Sequence, residues 1–254
     1  PAIFRLEPHV RRLFDSCKIY RMAPTQTPNE ISEACRETVR KNGLGDCYIR
    51  PMVVRGYGSA GLNPAASPVE TYICAWPWGT YLGEKVLDEG VEVCVSSWQR
   101  VAPNTVPAGA KAGGTYLSSQ LISMEAKRNG FAEGIGLTTD GTVGVGAGEN
   151  LFLVRNGALI TPPQASSILA GITRDTVIRL AHAMGYEVRE QTLSREALYT
   201  ADELFLTGTA AEITPVASVD DLPIGCGSRG PITERIQSAF FGLFTGETED
   251  HFGW

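Results

Sequence analysis

The sequence is poor in the residues that build metal sites and polyanion-binding surfaces. It has three histidines and six cysteines, and no two cysteines have the C-x-x-C spacing of a zinc or redox site. The formal charge is −6 and no basic cluster is longer than Arg11-Arg12, whereas nucleic-acid binding needs a basic face. We therefore expect no metal centre, no histidine-based triad and no nucleic-acid partner.

Long apolar runs are also absent. No stretch approaches the ~20 apolar residues that a membrane-spanning helix requires, and the start has no signal-peptide pattern. The scattered single cysteines favour reduced thiols, so we expect a cytoplasmic protein with no membrane partner. The chain begins at Pro1 without a methionine, and Pro1-Ala2-Ile3-Phe4-Arg5 is typical of a strand entered midway. We expect part of the first domain to lie upstream.

The hydrophobic periodicity predicts an α+β protein with two domains. Helices are expected over 7–20 and from Thr27-Pro28 onward, followed by strands over 47–55 and 71–76. The breaker-rich segment that starts at Pro77 predicts a linker over 77–86, between a small N-terminal domain, 1–76, and a larger domain, 87–254. In the larger domain, strands are expected over 92–97, 134–137, 150–155, 158–161, 187–191 and 203–207, and helices over 118–129, 174–184 and 231–244.

A glycine-rich stretch, "GTVGVGAGEN" over 141–150, has the spacing of a dinucleotide-binding loop. Such a loop must run from a strand into a helix, whereas this one runs into the predicted strand 150–155. Two interpretations remain. The stretch is either a glycine-rich approach to a hairpin or a place where the backbone comes close to a flat ligand.

Lys111 stands out among only five lysines, because its neighbours from Ala108 to Gly114 are small and include no carboxylate. A desolvated lysine has a lowered pKa and a nucleophilic amine, as Schiff-base chemistry requires, but a flexible exposed loop is the alternative. Gly171 leads into a predicted helix with Thr173 as its expected N-cap, which favours a phosphate, and 207–211 is a second candidate anion site. Together these features suggest a phosphorylated aldehyde cofactor, pyridoxal phosphate.

Six linked motifs then resemble one family over essentially the whole chain. The sequence resembles the branched-chain amino acid aminotransferases of the fold type IV pyridoxal-phosphate class, and "FFGLFTGETED" at 240–250 is similar to the enterobacterial members. The resemblance implies a small α/β domain and a larger, β-barrel-like domain with helices, as in D-amino acid aminotransferase. The motifs are "YIRP" at 48–51, "AWPWGTYLG" at 75–83, "SSWQRVAPNTVPAGAKAGGTYLSSQ" at 96–120, "GAGENLF" at 146–152, "GITRD" at 171–175 and "TGTAAEITPV" at 207–216.

The resemblance implies the role of each site residue. Lys111 is similar to the Schiff-base lysine that also moves the proton at the substrate Cα, and Tyr116 to the tyrosine that hydrogen-bonds the cofactor's phenolic oxygen. The residues implied to hold the cofactor are Arg12, Lys111, Tyr116, Val145, Gly171, Ile172, Thr173 and Thr209. The residues implied to hold the substrate are Tyr48, Arg50, Trp78, Tyr81, Thr209 and Ala210.

The implied reaction is ping-pong transfer of an amino group between leucine, isoleucine or valine and 2-oxoglutarate. In the family the loop over 58–63 reaches into a neighbouring subunit's pocket, so the resemblance implies a homodimer or hexamer. At Val145 the chain departs from the family, which has a glutamate there, bonded to the pyridine nitrogen. The alternatives are a D-amino acid aminotransferase, an aminodeoxychorismate lyase, or a cofactor-binding protein with little or no activity.

Overall fold

The computed structural model describes residues 2–58, 60–79 and 85–254, which divide into two units. The first unit is Pro1–Gly79 with Trp254, and the second is Thr80–Gly253. Part of the predicted linker, 80–84, lies outside the described residues. Within the first unit the Trp254 ring lies 5.8 Å from the ring of Phe4, and the Arg5 guanidinium lies over it at 4.9 Å.

Two helices cover one face of a two-stranded sheet in the first unit. Thr27 caps the second helix, because its hydroxyl accepts from the Glu30 amide while the Glu30 carboxylate accepts from the Thr27 amide at 2.7 Å. Pro28 follows at the first helical position, where no amide is needed. Leu6, Val10, Ile31 and Cys35 are buried in the small core. The elements are α1 (Leu6–Ile19), α2 (Pro28–Lys41), β1 (Tyr48–Arg55) and β2 (Val69–Trp76).

The expected strand at the very start is wrong. Phe4 and Arg5 lie in a turn, and α1 begins at Leu6. Arg5 has a φ of 50°, in the left-handed region, which is incompatible with extended strand backbone. The start of the described chain is therefore a turn that leads into α1.

Among the described residues, the second unit contains a nine-stranded mixed sheet and several helices. Its strand order is β5-β4-β3-β10-β9-β6-β7-β8, and β11 pairs with β10. The elements are α3 (Val86–Glu89), β3 (Val91–Val95), a 3₁₀ turn (Gly113–Thr115), α4 (Tyr116–Arg128), β4 (Glu133–Leu137), β5 (Val143–Gly146), β6 (Asn150–Arg155), β7 (Ala158–Thr161), α5 (Ile172–Ala183), β8 (Val188–Glu190), α6 (Arg195–Tyr199), β9 (Glu203–Gly208), β10 (Glu212–Val219), β11 (Leu222–Pro223) and α7 (Pro231–Thr245).

Two features of this sheet differ from the sequence prediction. The glycine-rich stretch contains a strand, β5, which pairs antiparallel with β4 and is completely buried. The long strand β10 was not predicted, and Pro215 within it argues against a strand. Pro215 is tolerated because β10 pairs with β9 up to this residue and with β3 from Val216 onward.

The core of the second unit holds the sheet in place. Leu151, Leu204 and Leu206 are buried in it, and the rings of Phe152 and Phe205, on neighbouring strands, stack with centroids 5.1 Å apart. Fully burying one such side chain contributes about 1.5–3 kcal/mol. The sheet is therefore a rigid support for the loops at its edge.

Within the described part of the chain no helix is both long and apolar enough to cross a membrane.

Candidate active site

A cleft of about 410 Å³, part of it open to solvent, lies in the second unit. One wall comes from the loop before α4 and from the start of α4, and the other from β5 and the turn into β6. The lining residues include three of the predicted site residues, Lys111, Tyr116 and Val145. The structure thus brings together residues that are far apart in the sequence.

Lys111 and Tyr116 meet at the edge of this cleft. The Lys111 ammonium donates a hydrogen bond of 2.6 Å to the Tyr116 hydroxyl, and Nζ lies 5.1 Å from the centre of the tyrosine ring. Of the two interpretations of Lys111, a desolvated amine or an exposed loop, the structure agrees with the second, because the Lys111 side chain is exposed. The small residues around it do not bury the side chain.

Glu149 supplies the carboxyl group that the local sequence around Lys111 lacks. Its side chain is buried, and this burial, together with the charge of Glu133, raises its pKa to about 7, while Lys111 acts in the opposite direction. Glu149 accepts a hydrogen bond of 3.0 Å from the Gly148 amide. The cleft therefore contains a carboxyl group that is partly protonated near neutral pH.

Arg100 is a cleft residue that sequence reasoning missed. Its side chain is only 7% exposed, Nη1 donates a hydrogen bond of 2.7 Å to the Ser119 hydroxyl, and Nε has no partner within the described chain. Val145, on β5, also lines the cleft and is buried. Nothing in the local sequence "SSWQR" signals that this arginine is buried, because its burial depends on β4 and β5.

The candidate anion site at the start of α5 adjoins the cleft. Gly171 is the N-cap, so the expectation that Thr173 caps the helix is wrong: Thr173 lies inside the first turn, buried, and no side chain caps the helix. Asn150, a cleft residue, donates a hydrogen bond of 3.0 Å to the Leu169 carbonyl just before this turn. Ile172, the first helical residue, is buried as well.

The second candidate anion site lies in the turn between β9 and β10. Thr209 is exposed and Ala210 is half-buried in this turn. Gly208 lies beside Glu149, since a Cβ at Gly208 would be 3.8 Å from the glutamate Cγ. The turn that carries Thr209 and Ala210 is therefore next to the cleft.

Three predicted substrate residues of the first unit, Tyr48, Arg50 and Trp78, lie in an aromatic cluster with Trp76. The ring of Tyr48 lies 5.2 Å from that of Trp76 and 5.1 Å from that of Trp78, and the Arg50 guanidinium lies 5.3 Å from the rings of both Tyr48 and Trp76. Trp76 was not predicted as a site residue, and it faces Tyr48 directly across the β1–β2 pair. Tyr81 lies outside the described residues.

Arg12, the predicted phosphate ligand, lies on α1 of the first unit. Its side chain is half-buried, and its backbone carbonyl accepts a hydrogen bond of 2.8 Å from the Ser16 hydroxyl. Across the described ranges, no group of three or more histidine, cysteine, aspartate or glutamate side chains could hold a metal ion.

Residues 1–219 match the family model described as amino-transferase class IV. The chain belongs to the class IV aminotransferases. This class IV aminotransferase is 56% identical to the branched-chain-amino-acid aminotransferase of Escherichia coli K12 over 100% of the chain and 82% of that protein. Its resemblance to the fold type IV enzymes is confirmed, and so is the predicted α+β fold.

Solved structures agree with the sequence comparison. The class IV aminotransferase superposes with a TM-score of 0.97 on a branched-chain amino acid aminotransferase of Escherichia coli, at 57% identity, covering 99% of the chain and 83% of that structure. A branched-chain amino acid aminotransferase of Thermobaculum terrenum, solved in its PLP-bound holo form, gives a TM-score of 0.91 at 40% identity, covering 96% and 79% respectively.

Proposed function

We propose that this class IV aminotransferase transfers the amino group of L-leucine, L-isoleucine or L-valine to 2-oxoglutarate, giving branched-chain 2-oxo acids and L-glutamate. The names of the relatives support this substrate class, at 56% identity over the whole chain. The observation that carries the proposal is the accessible Lys111 amine, hydrogen-bonded to Tyr116 at the edge of a cleft. The relatives reported above are all branched-chain enzymes, so a D-amino acid aminotransferase or a lyase is not favoured.

Pyridoxal 5′-phosphate is the proposed cofactor, and the cleft fits it. The Lys111 amine suits the aldehyde, and the uncapped start of α5 at Gly171 suits the phosphate, since backbone amides and the helix dipole favour an anion there. Gly146, Ala147 and Gly148 line the cleft, and a Cβ at Gly148 would meet no atom within 4 Å, which leaves room for a flat ring. The cofactor residues proposed from the resemblance are Arg12, Lys111, Tyr116, Val145, Gly171, Ile172, Thr173 and Thr209.

When bound, pyridoxal phosphate supplies the aldehyde that accepts the amino group and a ring that stabilises negative charge at the substrate Cα. Lys111 is the base and acid that removes and returns the proton at Cα. The Tyr116 hydroxyl holds the lysine nitrogen through the 2.6 Å hydrogen bond. Tyr116 is the first residue of α4, and Lys111 lies in the loop before the 3₁₀ turn, so this hydrogen bond ties the loop to the start of the helix.

The substrate residues are proposed in two groups. Tyr48 and Arg50, with Thr209 and Ala210, bind the α-carboxylate through the guanidinium, the phenol and backbone amides. The apolar side chain of the amino acid substrate contacts Trp78 and Tyr81. An apolar pocket distinguishes one methylene by only about 1–3 kcal/mol, so we expect overlapping activity on leucine, isoleucine and valine.

The active form is proposed to be a homodimer or hexamer that works in the cytoplasm. Helix α4 supports self-association, because Leu117, Leu121 and Met124 recur at helical spacing and are 66%, 38% and 59% exposed. All six cysteines are free, as a reducing compartment would keep them.

The decisive experiment removes the Lys111 amine. We expect Lys111→Ala to lose the visible absorbance of protein-bound pyridoxal phosphate and the formation of 2-oxo acid from L-leucine. Lys18→Ala is the matched control, since Lys18 is exposed on α1 of the first unit. An unchanged spectrum in Lys111→Ala would exclude the assignment.

A further inference from the structure

Arg174, the third residue of α5, is a buried arginine whose guanidinium is bound by neighbouring strands. Its side chain is only 4% exposed, and arginine is almost never buried to this extent unless it is paired. Nε donates to the Thr161 hydroxyl at 3.2 Å, and Nη2 donates to the Pro162 carbonyl at 3.0 Å and to the Glu190 carboxylate at 2.7 Å. These hydrogen bonds fasten the first turn of α5 to the end of β7 and to β8.

The first turn of α5 is also tied, on both of its sides, to the start of β6. The Thr161 hydroxyl, which accepts from Arg174, donates in turn to the Leu151 carbonyl at 2.8 Å. Asn150, the residue before Leu151, donates to the Leu169 carbonyl at 3.0 Å, on the other side of the N-cap. Two side-chain bridges from the first two residues of β6 therefore bracket the start of the helix.

The turn held in this way is the one at which the proposed cofactor phosphate binds. The first amides of an α-helix have no acceptor in the helix itself, and no side chain caps them in α5. Their direction is set by the backbone of the first turn, so the binding of a phosphate there depends on how firmly that turn is held. Arg174 acts on this turn through its hydrogen bonds and not by lending its charge, because Glu190 pairs with the guanidinium.

Given the cofactor proposed above, on which this inference rests, we propose that Arg174 is a positioning residue for the cofactor phosphate. It orients the amides of the first turn of α5 and does not bind the phosphate itself. The planar guanidinium bonds acceptors on two strands and on the loop between them, and a lysine ammonium cannot reproduce that fork. The contribution of the phosphate to cofactor affinity therefore depends on Arg174, whereas the contribution of the ring does not.

The experiment compares the binding of pyridoxal 5′-phosphate with that of pyridoxal, which lacks the phosphate. Both dissociation constants are measured by absorbance titration of the purified full chain, and the ratio of the pyridoxal value to the pyridoxal phosphate value reports what the phosphate adds. We expect Arg174→Lys to lower this ratio at least about fivefold, because hydrogen bonds to a charged group weaken steeply when the donors leave their ideal direction. The affinity for pyridoxal should remain that of the parent. Arg179→Lys is the matched control, since Arg179 forms an exposed ion pair with Asp175 on the same helix.

Thr161→Val keeps the test decisive even if Arg174→Lys fails to fold. This change removes the hydroxyl that links Arg174 to the Leu151 carbonyl and keeps the charge of the arginine, so the ratio should fall in the same direction. Equal weakening of both ligands, together with a lower free energy of unfolding, would show a merely structural role and overturn the proposal.

The outcome also separates this inference from the cofactor assignment. A parent that prefers pyridoxal 5′-phosphate, with the same ratio in both variants, would overturn the role of Arg174 and leave the cofactor in place. A parent that binds neither ligand would overturn the cofactor assignment and this inference with it.

Discussion

The ammonium nitrogen of Lys111 lies 2.6 Å from the phenolic oxygen of Tyr116. Tyr116→Phe removes this hydrogen bond and keeps the ring that Nζ approaches. A hydrogen bond to a charged group is worth about 1.5–3 kcal/mol, so we expect the half-reaction with L-leucine to slow by about tenfold to hundredfold. Stopped-flow absorbance measures it. Tyr72→Phe, on the exposed face of β2, serves as the control and should react at the parent's rate.

Val145 occupies a cleft position at which the family resemblance implies a glutamate. If that carboxylate stabilises the transition state electrostatically, Val145→Glu should accelerate the L-leucine half-reaction by at least about tenfold. Val145→Gln has nearly the same size without the charge and should give no such gain. Equal half-reaction rates in the parent and Val145→Glu would show that the valine does not limit catalysis.

Glu149 makes stability depend on pH. Its native pKa of about 7 lies above the ordinary value of 4.5, so the folded chain holds a proton that the unfolded chain releases. The free energy of unfolding should therefore fall as the pH rises from about 4.5 to about 7, by at most about 3 kcal/mol, and then level off. Denaturant melts at several pH values should show this slope reduced in Glu149→Gln. Glu196→Gln is the control, since Glu196 is exposed. An altered pH dependence of the unfolding free energy in this variant would argue against Glu149 as the cause.

Gly171 faces Asn150 at the start of α5. A Cβ at Gly171 would lie 2.0 Å from Asn150 Oδ1, and Asn150 is buried and bonded to the Leu169 carbonyl. We expect Gly171→Ala to lower the free energy of unfolding by about 1–3 kcal/mol, because the asparagine must move. Gly109→Ala meets no atom within 4 Å and should stay within about 0.5 kcal/mol of the parent in denaturant melts.

Local signals predicted the elements whose causes are local. Thr27, Pro28 and Glu30 stand at the start of α2 as capping chemistry requires, and the apolar run of β6 continues into a turn at Asn156. Thr173 was the wrong N-cap, because the tight approach of Gly171 to Asn150 selects a glycine at that position.

Tertiary partners decided the rest. Strand β10 was not predicted because it contains Pro215. The strand tolerates this proline because it changes its pairing partner from β9 to β3 there. Three of the cleft residues were predicted: Lys111 from its small neighbours, and Tyr116 and Val145 from the family resemblance. Arg100 and Glu149 were not predicted as cleft residues. Their burial depends on strands that the sequence pattern did not connect to Lys111.

The glycines beneath the Arg100 stem restrict how this cleft can diversify. A larger residue at Gly136 or Gly144 would collide with the arginine or with the Gly136 carbonyl, so neither site can be used to change the chemistry of the wall. Val145, directly opposite Gly136, already carries a side chain. Substitution of Val145 can therefore change the chemistry of this side of the cleft, while Gly136 and Gly144 must stay glycine.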